Sequence, residues 1–103
     1  MNKERRAAIA ALIKTASAVK EDLALLVGRI EDLKAEAEAI RDEEQEYFDN
    51  MPESFQSGEK GQAVEEKLSA MDDAISELDT MIDSLGDDGP LDAFTNGMES
   101  AAE

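Results

Sequence analysis

Carboxylates dominate the chemistry open to this chain. Aspartate and glutamate number 26 against ten lysines and arginines, and there is no cysteine, histidine or tryptophan. That excludes disulfides, thiolate and His-based nucleophilic catalysis, zinc sites built on sulfur or imidazole, and di-iron sites needing Glu-x-x-His. Asp72-Asp73 with Asp79 and Asp83, or Asp87-Asp88, supply oxygen ligands of the kind calcium and magnesium take. No run has the spacing of an EF-hand loop, and carboxylates on a helix surface do not wrap an ion. Glu43-Glu44 is an adjacent pair of the type general acid and base catalysis uses, but no pocket-forming residues surround it. Gly58-Glu59-Lys60-Gly61 has the form of a backbone-clamping GxxG loop, with Glu59 where phosphate would approach. Tyr47 and Phe48 lack the sheet or basic groove of a base-stacking platform. The expectation is a protein without catalytic residues, metal or cofactor, hence not an enzyme.

What remains is binding. A formal charge of −16 on 103 residues repels nucleic acid and anionic membrane from most of the surface. The candidate partner-binding face is acidic: Glu65, Asp72, Asp73, Asp79 and Asp83. Carboxylates spaced along a rod can enter a basic channel made for phosphates, so nucleic-acid mimicry towards a protein partner is one reading. A solvated face that keeps long helices soluble is the plainer one. Bases gather near the start, where Arg5, Arg6, Lys14 and Lys20 form a candidate anion contact.

These residues sit on heptad helices. Ile9, Leu12, Ala16, Val19, Leu23, Leu26, Ile30, Leu33, Ala37 and Ile40 step alternately by three and four, continuing at Tyr47 and Met51 after a polar miss at Glu44. With Ile9 at position a and Leu12 at d, the pattern predicts one long helix from about Asn2 to Phe48. Pro52 disfavours helix at Met51, and Asn50 suits a left-handed stop, so a turn belongs near 49–58. Pro52 can open one short turn, with Phe48, Met51 and Phe55 as an apolar plug and Ser57 as the next N-cap. A second heptad helix carries Val64, Leu68, Met71, Ile75, Leu78, Ile82 and Leu85 and ends at Gly86. Asp87-Asp88-Gly89-Pro90 and the acidic residues after it predict a flexible tail over 87–103, with a weak contact at Leu91 and Phe94.

The seam charges choose between parallel and folded-back pairing. At the e positions Lys34 and Arg41 of the first helix oppose Glu65, Asp72 and Asp79 of the second only if the helices are antiparallel. Pairing Arg41 with Glu65 and Lys34 with Asp72 centres the turn on residue 53, and places Glu43 near Lys67. The predicted fold class is all-α: an antiparallel helical hairpin (coiled coil), with a long first helix overhanging a shorter second one. Three regions follow: a basic overhang 1–20, an acidic hairpin 21–86 and the tail 87–103. In the overhang Ile9, Leu12, Ile13, Ala16 and Val19 have no cover in this register, which makes them the expected oligomerisation surface of a homo-oligomer. Its five bases face a single acid, Glu4, so the chain is electrically polarised. No apolar run approaches the roughly 20 residues of a membrane span, and Lys14, Lys20, Glu21 and Asp22 interrupt the signal-like start. A soluble chain that does not engage membrane is expected.

The segment Glu43-Glu44-Gln45-Glu46-Tyr47-Phe48-Asp49-Asn50-Met51-Pro52-Glu53-Ser54-Phe55-Gln56, followed by Ser57-Gly58-Glu59-Lys60-Gly61 and the second heptad helix, resembles a group of short, mostly uncharacterised bacteriophage and prophage proteins. Asp-Asn-x-Pro-Glu-Ser is the more specific part, and residues 1–20 lie outside it. The resemblance implies an accessory protein of phage type in a bacterial cytoplasm, where proteins of this size inhibit host enzymes or defence systems; it carries no site residues. The expected function is binding and inhibition of a basic host protein, a nuclease or defence factor. A scaffolding coiled-coil oligomer is one alternative. A sponge for anionic nucleotide messengers, held by the basic overhang, is the other.

Overall fold

A computed structural model describes all 103 residues. The chain is all-α: 89% of its residues are helical and there is no strand. In order, the helices are α1 (Lys3–Asp49), the single turn α2 (Glu53–Gln56), α3 (Glu59–Leu85) and α4 (Gly89–Ala102). No helix is long and apolar enough to cross a membrane. The chain divides into two compact units, one of Met1–Gly28 with Asp83–Glu103 and one of Arg29–Ile82.

Local signals account for most boundaries. Asn2 accepts the Arg5 backbone N–H on its Oδ1 at 2.8 Å, an N-cap that satisfies one of the first free donors of α1. Pro52 precedes α2 and has no N–H to lose there. Two local expectations fail. Asn50 is not left-handed, since no non-glycine residue has positive φ. The Ser57 hydroxyl, expected to cap α3, instead donates to the Glu53 carbonyl at 3.1 Å within the α2 turn.

In the Arg29–Ile82 unit, α1 and α3 lie side by side with opposite chain senses. Arg41 Nε meets Asp72 Oδ1 at 2.8 Å, and Lys34 Nζ meets Asp79 Oδ1 at 2.6 Å. The register differs from the expected one by a heptad: Arg41 pairs with Asp72, not Glu65, and Lys34 with Asp79, not Asp72. The centre of the turn moves from residue 53 to between Gln56 and Ser57. An acid stands at every seventh residue of α3, so the charge pattern repeats and is satisfied equally by either register. The turn breaks the tie, because α2 consumes residues that a tighter reversal would have left to the helices. Gly61, Val64 and Leu68 are buried on α3 and Ile30 on α1.

In the other unit, residues 87–103 are not a flexible tail. Asp87-Asp88-Gly89-Pro90 both stops α3 and starts α4, because proline is disfavoured inside a helix yet fits its first turn. Leu91, Thr95, Met98 and Ala102 follow at steps of three and four and are half-buried. Lys20 Nζ reaches Asp92 Oδ1 at 3.0 Å and Asp88 at 3.9 Å, and Arg6 Nη2 donates to the Glu103 carbonyl at 3.5 Å. The stretch 1–20 is therefore covered within its own chain: Ile9 is 7% exposed and Ala16 6%. Charge favours the contact, since residues 83–103 carry six acids and no base, against five bases and three acids in residues 1–28.

Candidate functional site: the acidic and apolar faces

The nominated acidic residues divide by position on α3. Asp72 and Asp79 point at α1 and are engaged by Arg41 and Lys34. Each base is held above its ordinary pKa, first by its hydrogen bond to the aspartate and then by the aspartate's charge, partly offset by desolvation. These two aspartates are thus seam residues. Glu65, Asp73 and Asp83 are exposed and enter no ion pair, and Glu59, Glu66 and Glu77 on the same helix share that condition.

The nominated anion contact is not brought together. Lys20 is taken by Asp92 and Asp88, and its pKa is raised chiefly by the Asp92 hydrogen bond. Arg6 is turned to a backbone carbonyl, while Arg5 and Lys14 are exposed and unpaired. A phosphate here would compete with carboxylates already in place. Among side chains able to ligate a metal, no group of three or more histidines, cysteines or carboxylates converges.

The residues nominated for oligomerisation also part company. Ile9 and Ala16 are buried within the chain and Ile13 is half-buried, so these three cannot serve another copy without displacing α4; Leu12 and Val19 stay exposed. The reason is a rotation of α1 about its axis. Its covered line runs through positions a and e, namely Ile30, Lys34, Ala37, Arg41, Glu44 and Phe48, whereas Leu33, Ile40 and Tyr47 at position d face outward. The stems of Lys34 and Arg41 take part in the seam while their heads reach the aspartates. Glu43 consequently turns away from α3 and makes no ion pair with Lys67.

At the turn, Gln56 matters though sequence reasoning passed it over, and Gly61 matters for a reason the sequence did not show. Gln56 Nε2 donates to the carbonyls of Phe48 and Met51, each at 3.0 Å, and of Asp49 at 3.4 Å, tying the end of α1 to α2. The Asp49 and Met51 carbonyls take no backbone N–H, while that of Phe48 also accepts from Met51 at 3.0 Å. Gly61 lies against the backbone of Gln56, where any Cβ would land on its carbonyl. The glycine itself was the visible signal; its cause is this close approach. Phe55 is exposed with Lys60 Nζ 5.3 Å from its ring centroid, so it is a surface residue of the tip and not a plug. Comparison with known proteins found no family model that matches, no similar curated protein and no similar solved structure.

Proposed function

We propose that the chain is an antiparallel helical hairpin of coiled-coil type that acts by binding a basic protein through its acidic outer face. On this reading it is a small accessory protein of phage type in a bacterial cytoplasm. Its target is a nuclease or another nucleic-acid-handling or defence factor, whose phosphate-binding surface the carboxylates occupy. The observation that carries the reading is the charge left over on α3. Of its eight acids, only Asp72 and Asp79 are neutralised within the chain. The other six are exposed along a helix of 27 residues, about 40 Å at the usual rise. Solvated carboxylates need no partner within the chain, and a basic groove that covers them gains by counterion release.

The test is charge reversal outside the seam. A Glu65→Lys, Asp73→Lys, Asp83→Lys chain keeps both observed ion pairs of α3 and should stay folded by circular dichroism. Immobilised wild-type protein should retain basic proteins from bacterial lysate at low salt and release them as salt rises, and DNA should compete for those proteins. Capture by the reversed variant at undiminished yield would end the proposal.

A further inference from the structure

The rotation of α1 leaves an apolar groove with an unusual pair of rims. Within the Arg29–Ile82 unit, Ala37 and Ile40 of α1 and Met71, Ala74, Ile75 and Leu78 of α3 line an open, almost wholly apolar cleft. It continues along large side chains that a single chain leaves bare: Leu33 is 53% exposed, Ile40 61%, Tyr47 57% and Met81 46%. Exposed ion pairs stabilise by only about 0–1 kcal/mol, much less than burying side chains of this size. A seam that admits Lys34 and Arg41 while excluding Leu33 and Ile40 is therefore poorly explained by the isolated chain. It is explained if α1 faces two neighbours, as a bundle helix with a wide a, d and e face does. The core points the same way, since no large side chain is fully buried.

Charge selects the occupant. The α1 rim carries Glu36, Glu43 and Glu46 with one base, Arg29, and the α3 rim carries Lys60 and Lys67 with one acid, Glu77; none of the seven forms an ion pair in the chain. One surface thus bears both halves of a complementary edge, the requirement for self-recognition about a two-fold axis. We propose that this groove is the seat of a second copy of the chain, with α1 of each lying on α3 of the other about an axis parallel to the helices. Such an axis preserves height along the bundle. The register set by Arg41–Asp72 and Lys34–Asp79 then puts Leu33 beside Met81 of the partner subunit, Ile40 beside the partner's Ala74, and Glu46 level with the partner's Lys67, with Glu43 one turn away. A basic partner suits this groove less than a second copy, because the lining is apolar. The inference does not depend on the acidic-face reading above, and it places the contact elsewhere than residues 1–20.

Sedimentation of the full chain across the micromolar range should give twice the 11.2 kDa monomer mass. Ile40→Asp should give the monomer with helicity retained, because that side chain is already largely exposed. Lys67→Glu should weaken the dimer about fivefold, and adding Glu46→Lys should recover it. As the chain has no cysteine, single-cysteine variants report the geometry without relying on substitution effects. Leu33→Cys and Met81→Cys chains, mixed, should cross-link to each other far faster than Leu33→Cys chains do among themselves. A monomeric wild type, a mass other than the dimer's, or preferential cross-linking of Leu33→Cys to itself overturns the proposal.

Discussion

Gly61 shows how much one missing methyl group decides. Its Cα lies against the Gln56 backbone, which cannot rotate away as a side chain would. Gly61→Ala should therefore destabilise by about 1–3 kcal/mol despite alanine's better helix propensity, measured by urea unfolding. Gln56→Ala removes the donor shared by three carbonyls and should cost about 1–2 kcal/mol, with faster amide exchange at the end of α1. Lys34 gives a pH dependence with a definite sign. Its pKa is raised above the ordinary 10.5 by the Asp79 hydrogen bond, so beyond that pH the folded chain holds a proton the unfolded chain has lost. The contribution is complete below 10.5 and disappears as pH rises through the higher folded value. Lys34→Met should flatten the alkaline limb of a stability profile measured from pH 8 to 12.

At the scale of elements, α4 separates two accounts of residues 1–28. Alone, that stretch of α1 would be marginal in water, because an unpartnered helix has propensity but no packing. Cover from α4 buries Ile9 and Ala16 and places acids on Lys20. Removing residues 87–103 should consequently abolish hydrogen-exchange protection around residues 9–23, while residues 30–48 keep theirs. A dispensable tail would leave both patterns unchanged. The unit of Arg29–Ile82 was more legible in advance. The heptad steps and Pro52 placed α1, α2 and α3 within a residue or two. Pro90 misled because the features that end one helix are the features that begin another.

For the whole molecule, net charge outweighs individual pairs. Three bases, Lys20, Lys34 and Arg41, make ion pairs with residues distant in the chain, and each such pair is exposed and weak. Twenty-six acids against ten bases repel over longer distances, and the compact state concentrates them. Screening should thus stabilise: the melting temperature should rise by several degrees between about 10 mM and 500 mM sodium chloride, a range over which the Debye length falls from about 30 Å towards 4 Å. A fall would mean that the ion pairs dominate.

The division between sequence and tertiary structure follows from periodicity. Apolar residues every three and four positions, one proline and an excess of carboxylates by themselves determined an all-α chain of long helices, the place of its turn and the absence of thiol and imidazole chemistry. A repeating pattern cannot report its own phase, however. Which heptad of α3 meets Arg41, and which edge of α1 turns inward, depend on how many residues α2 takes up and how closely Gly61 approaches Gln56. Those are contacts between residues with no periodic signature. They turned the nominated Asp72 and Asp79 into seam residues, left Leu33, Ile40 and Tyr47 outside, and with α4 gave the basic stretch a cover that composition alone had not suggested.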